Sequence, residues 1–168
     1  MRDRDQAVRD ACANGTADEQ VKCIVKAAED VDKPNTKRLN EIFNENGFPS
    51  PSTVGKDGVQ AFVLLMQHSG DVELRKRSEA GMKRAFEDKV LSVAEYTGFV
   101  DRLLVDQGKP QIYGSNFGSK DGKLVMSPVE DPKNLDKRRK SIGLPPIAEY
   151  MKMLKEVYKL EVAMPQSN

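Results

Sequence analysis

His68 is the single histidine of the chain, and so the one side chain whose ordinary pKa suits proton transfer near neutral pH. It follows Gln67 at the end of an apolar run, VQAFVLLMQH, and on a helix it shares a face with Ala61, Leu64 and Leu65. Asp71 lies three residues on, within reach of the turn that follows, which gives one reading: an imidazole oriented by a carboxylate. The other reading is a core histidine bonded to a backbone carbonyl, since no nucleophile adjoins the pair to complete a triad.

A second set of reactive types falls between Gly108 and Pro146, where Gly, Pro, Asn, Asp and Arg are denser than a plain connector requires. Gln111 and Tyr113, spaced by two, would project from one face of a strand and offer an amide and a phenol to a polar ligand, with Asn116 shortly after. Bonds that support a turn would use the same groups. Arg138 and Arg139, close to Asp131 and Asp136, and Arg102 beside Asp101, can clamp a carboxylate or phosphate or pin the segment through internal ion pairs. Removing one member of such a pair would leave a charge stranded.

These residues define the expected site. His68 and Tyr113 are its catalytic candidates, and Gln67, Gln111, Asn116, Arg102, Arg138 and Arg139 its ligand contacts, converging on one cleft for a small polar or anionic ligand. Hydrolase- or lyase-type acid–base chemistry is one use of such a cleft; a non-catalytic binding or protein-interaction module is the other. No metal cage, phosphate loop or nucleophile elbow is legible, so neither metal nor cofactor is expected.

The elements that must position these groups read mainly as helices. Asp3 to Ala13 carries Ala7, Val8, Ala11 and Cys12 at helical spacing; Thr16 and Glu19 form a capping box for a second helix with a stripe of Val21, Ile24, Val25 and Ala28. Pro34 begins a third helix ending at Asn46-Gly47, and a loop follows from Phe48 to Gly58. Val59 to His68, apolar on nearly every side, is the expected central helix. Asp71 can cap the next, and Ser92 with Glu95 makes another capping box before the stripe Val93, Tyr96, Phe99, Val100, Leu103 and Leu104. After Pro110 the period changes: Gln111 to Phe117 and Lys123 to Met126 fit a β-hairpin around Asp121-Gly122. Pro145-Pro146 then opens a last helix with Ile147, Tyr150, Met151, Leu154, Val157 and Tyr158 inward. The expectation is a single-domain, mainly α bundle over residues 1–164 with one small β-hairpin near residues 111–126, and a frayed tail at 165–168.

With 168 residues, 32% of them charged, the chain can bury its own core, and its net charge of +1 supplies no field that would draw nucleic acid. No apolar run approaches the roughly 20 residues of a membrane span, and MRDRDQAVRD lacks the apolar core of a signal peptide. Read literally this is a cytoplasmic chain; if a signal segment was trimmed, it is exported or periplasmic. Cys12 and Cys23 flank Asn14-Gly15-Thr16, which permits a short bridge between antiparallel helices or two buried thiols.

Asp5-Gln6-x-x-Arg9, Gly47-Phe48-Pro49, Gln67-His68, Asp101-Arg102, Gly108-Lys109-x-Gln111-x-Tyr113-Gly114 and Asp131-Pro132-x-Asn134-x-Asp136-x-Arg138-Arg139-x-x-x-Gly143-Leu144 together resemble an uncharacterised bacterial domain-of-unknown-function family. The resemblance spans about Asp5 to Tyr150 and implies that Gln67-His68, Gln111, Tyr113 and Arg138-Arg139 belong to a shared pattern; it implies no biochemical activity. Members of that family also occur as exported or lipid-anchored chains. Two departures bear on the ligand: Ser69-Gly70 stands where members often carry an acidic residue, and Asn116 where they commonly carry Gln.

Overall fold

Charged side chains interleaved with Ala, Leu and Val at helical spacing become helices throughout the computed structural model, which describes residues 1–120 and 122–165. They fall into two units, Met1–Val90 and Leu91–Asn168.

The first unit is entirely helical among its described residues: α1 (Arg2–Cys12), α2 (Ala17–Ala27), α3 (Lys33–Asn46), α4 (Pro51–His68) and α5 (Val72–Glu87). The capping box at Thr16 forms as read, with the Glu19 amide on the Thr16 hydroxyl and the Glu19 carboxylate taking the Thr16 N–H. Between α2 and α3 the helix does not break; Ala28–Asp32 widens into one π turn, closed by the Lys33 N–H on the Ala28 carbonyl. Pro34 supplies the reason. It has no N–H to donate one turn back, which would strand the Asp30 carbonyl, and Arg4 Nη2 takes that carbonyl at 3.3 Å instead. Cys12 and Cys23 are joined by a disulfide, their Cα atoms 5.3 Å apart, which ties the end of α1 to the middle of α2.

Helix α4 is the centre of this unit and packs against α1, α3 and α5. Val59, Phe62, Val63, Leu65 and Met66 are all buried, as the apolar run predicts. The helix begins earlier than expected, at Pro51 rather than after Gly58, because Ser50 and Thr53 cap each other and Pro51 is preset for a first helical turn. Gly55, at φ 72°, absorbs the change of direction between that turn and the rest. The stripe expected to face inward on α2 faces outward: Val21, Ile24 and Val25 are 60%, 52% and 60% exposed, while Ala27 and Val31 are buried.

The second unit holds α6 (Val93–Asp106), a hairpin of β1 (Phe117–Lys120) and β2 (Lys123–Met126), a 3₁₀ turn (Pro132–Asn134), α7 (Leu135–Ser141), α8 (Ile147–Tyr158) and a short β3 (Val162–Ala163). β1 pairs antiparallel with β2, Phe117 opposite Met126, and β3 adds parallel to β2 with Val162 opposite Leu124, a strand the sequence did not announce. Met126, Val129 and Leu135 form the local core, with Phe117, Ile147 and Met151 packed on it. On α8 Leu154 is buried, but Val157 and Tyr158, expected inward, are 64% and 58% exposed. Asp121 of the expected hairpin turn and the tail beyond Pro165 lie outside the described residues.

Candidate functional site

The carboxylate on His68 comes from the far end of the first unit. Asp5 Oδ2 lies 2.8 Å from His68 Nδ1, and Asp5 is 1% exposed. The spacing of four on α1 stacks Arg9 over Asp5, so that Arg9 Nη2 meets Asp5 Oδ1 at 3.2 Å. The same Nη2 reaches Asp32 Oδ1 at 2.8 Å, and Arg9 Nε lies 2.9 Å from His68 Nδ1. Gln6 Nε2 donates to Asp5 Oδ2 at 3.0 Å. The π turn is what carries Asp32 round to this cluster, and α4 delivers His68 at its last residue, where a quarter of the side chain remains exposed.

Burial opposes the charged form of Asp5, but hydrogen bonds from Arg9 and Gln6 and the fields of His68 and Arg9 outweigh it and hold the carboxyl below the ordinary carboxylate range. The site is therefore a fixed carboxylate, an imidazole and a guanidinium, with a second carboxylate behind. Such a group can hold and move a proton at the imidazole, its one guanidinium already shared between two carboxylates.

Asp71, expected to orient His68, does other work. Its Oδ1 accepts the Leu74 N–H at 2.9 Å as the cap of α5 and its Oδ2 accepts Asn40 Nδ2 at 2.8 Å. A cap satisfies helix N–H groups that have no other partner, and that need takes the carboxylate.

In the second unit the expected strand from Gln111 is a turn, so Gln111 and Tyr113 do not share a strand face. Asp101, wholly buried on α6, collects its N–H groups: Ile112 at 2.8 Å and Tyr113 at 2.9 Å on Oδ1, Ser115 N and Oγ at 2.8 and 2.7 Å on Oδ2. The arginines of α7 collect its carbonyls. Arg138 Nε donates to Ile112 O at 3.0 Å, Arg138 Nη1 to Asp131 O at 3.0 Å, and Arg138 Nη2 to Glu130 O. Arg139, 1% exposed, donates to Tyr113 O at 2.6 Å and Pro145 O at 2.7 Å and lies over the Tyr150 ring. Gln111 is wholly buried, with Nε2 on the Asn116 and Ser127 carbonyls and Oε1 on the Asn116 N–H. Gly114 sits at φ +70°, where an added Cβ would meet Ile147 Cδ1 at 3.2 Å.

Side chains thus replace a β-ladder for this turn, which is why its sequence is so dense in special residues. The internal ion pairs expected of Asp131 and Asp136 give way to other bonds: Asp131 Oδ2 takes Asn134 Nδ2, and Asp136 Oδ1 caps α8 at the Ile147 N–H. Arg102 pairs with Asp106 at 3.3 Å on an exposed face, and Asn116 Oδ1 bonds the Ser127 hydroxyl. Burial, then the Asp101 charge, push the Tyr113 phenol above its ordinary value, with Arg138 pulling the other way.

Of the expected site residues, His68 and Gln67 belong to the first unit and Arg102, Gln111, Tyr113, Asn116, Arg138 and Arg139 to the second. Sequence reasoning missed Asp5, Arg9 and Asp32 as partners of His68. The four-residue spacing of Asp5 and Arg9 was a usable signal; nothing local marked Asp32. Among the described residues no group of three or more His, Cys, Asp or Glu is placed to hold a metal ion, and no helix is long and apolar enough to cross a membrane.

What the fold and the cluster define is a mainly helical protein with a small three-stranded sheet and a carboxylate–imidazole–guanidinium group built from α1 and α4. By its sequence the chain belongs to a family of unknown function, DUF6624, whose family model matches residues 1–163. No curated protein and no solved structure matches it.

Proposed function

We propose that the protein binds a small polar or anionic ligand at the Asp5–Arg9–His68 cluster, with His68 as the acid–base group of a hydrolase- or lyase-type reaction. The observation that supports this most is the burial of Asp5 against a quarter-exposed imidazole 63 residues away. A buried carboxylate and an imidazole brought together only by tertiary structure cost desolvation, and sites of chemistry are where such arrangements concentrate. Gln67, beside His68, is the ligand's proposed polar neighbour. In the second unit Gln111, Arg138 and Arg139 hold the turn and are not proposed as ligand contacts. An oxidising compartment is the proposed location, because the Cys12–Cys23 bridge persists where thiols are not kept reduced.

Generic phosphoester, carboxylic ester and amide substrates tested on the wild type and on His68→Gln provide the test. Turnover that falls by about 10²-fold or more in a variant with an unchanged helical spectrum is the expected result. A ligand whose binding weakens in the variant with no rate to lose places the cluster in a binding module instead. Turnover unchanged by the substitution overturns the reading.

A further inference from the structure

We propose that Arg9 is a positioning residue that decides which ring nitrogen of His68 carries the proton, so that the resting site offers Nε2–H, a donor, to an anionic oxygen of its ligand. The inference rests on His68 being the working group. It arises from a competition for one atom: Asp5 Oδ2 lies 2.8 Å and Arg9 Nε 2.9 Å from His68 Nδ1. Arg9 Nε always bears hydrogen, so it is satisfied by a bare Nδ1; a carboxylate oxygen is satisfied by Nδ1–H. One nitrogen cannot serve both at once.

The remaining bonds of each competitor decide the outcome. Asp5 keeps Gln6 Nε2 at 3.0 Å and Arg9 Nη2 at 3.2 Å when the imidazole does not donate to it. Arg9 Nε has only Asp5 Oδ2 at 3.4 Å as an alternative. Asp5 therefore loses less by yielding Nδ1, and the neutral ring holds its proton on Nε2. When the ring gains a second proton, at Nδ1, Asp5 Oδ2 accepts it and Arg9 Nε withdraws. Arg9 stays anchored meanwhile through Nη2 on Asp5 and on Asp32. The cluster accommodates both charge states by exchanging one hydrogen bond. The charged groups facing Nδ1 are Asp5 and Arg9 from α1, with Asp32 behind Arg9 from the π turn; Asp71 is held by Leu74 and Asn40.

This fixes the order of events at His68. It enters first as a hydrogen-bond donor through Nε2–H to a carboxylate, phosphate or polarised carbonyl oxygen, and acts as a base at Nε2 only in the other neutral tautomer, with the ring proton on Nδ1 and accepted by Asp5 Oδ2.

The test needs no substrate. Long-range proton–nitrogen correlation spectra of the ¹⁵N-labelled full chain report the one histidine ring directly. In the wild type with a neutral ring, Nδ1 is expected bare and Nε2 protonated. Arg9→Met should move the tautomer ratio by about tenfold toward Nδ1–H, the size expected for one charge-assisted bond. Arg9→Lys, which can still donate, should restore the wild-type form, and Asp5→Asn should keep it. A wild-type ring protonated at Nδ1 overturns the proposal even if Arg9→Met fails to fold, and so does a folded Arg9→Met with the wild-type tautomer. These readouts stand apart from turnover: a chain with no enzymatic rate can still show the tautomer, and an active one can lack it.

Discussion

Asp5 and Asp101 are both buried almost completely, and they are neutralised by different means. Asp5 has a guanidinium and an imidazole beside it; Asp101 has three backbone N–H groups and a hydroxyl. Dipoles aimed at one point satisfy a carboxylate as an N-terminal cap does, with the Arg139 guanidinium acting on it through its field. Removing it leaves those donors without partners, so Asp101→Ala should cost about 3–5 kcal/mol, read as a large fall in melting temperature. Asp101→Asn should cost nearly as much, because one amide end would set a donor against donors. A melting temperature equal to wild type for either variant would count against the account of the turn. Arg139 belongs to the same unit of work: Arg139→Lys should destabilise, since an ammonium cannot keep the guanidinium fork that meets the Tyr113 and Pro145 carbonyls together.

Two elements depend on one covalent or conformational feature each. α1 carries Asp5 and Arg9, and its end is held by Cys12 on Cys23, a loop closed over a separation of 11 residues. Reduction of that bridge should lower stability by about 2–3 kcal/mol and loosen α1 first, which amide exchange of α1 compared with α4 would show. Equal protection in oxidised and reduced protein would mean that α1 is held by its packing alone. The turn at 111–116 depends on Gly114, where a positive φ and a filled space coincide. Gly114→Ala should cost about 1–2 kcal/mol or more for the backbone conformation, before any displacement of Ile147, Leu135 or Met126. Chemical denaturation of this variant measures that cost.

At the scale of the whole molecule, acid is the informative perturbation. Burial works against the charged forms of Asp5 and Asp71, yet the bonds to Arg9 and Gln6 in the first case, and to the Leu74 and Glu73 N–H groups and Asn40 in the second, lower both below the ordinary value. A carboxyl lowered in the folded state binds fewer protons there than in the unfolded chain. It therefore contributes stability at pH values above its unfolded pKa, and that contribution is lost as pH falls through the folded one. Unfolding free energy should be flat from pH 7 to about 5 with respect to these groups and drop steeply below about 4. Asp5→Asn should flatten that acid limb; a limb of unchanged steepness would show that the carboxylate is not coupled to folding.

What the sequence determined by itself is local. The capping boxes at Thr16 and Ser92, the Asp71 cap and the apolar run of α4 are short-range patterns, and each forms as read because its partners lie within a turn or two of one another. Helical content with a small β element follows from the same local signals. Tertiary structure alone decided the rest. Periodicity shows that α2 has an apolar face but not whether anything covers it, and that face is exposed. A two-residue strand such as β3 has no period to read; it exists because β2 offers an edge. The arginines beside Asp131 and Asp136 looked like partners for acids near in sequence, but an irregular turn presents unsatisfied carbonyls, and a guanidinium satisfies several of them at once. His68 looked to Asp71 for the same reason of proximity. A carboxylate needed as a helix cap was not free, and the chain folded a different one, Asp5, against the imidazole from 63 positions away.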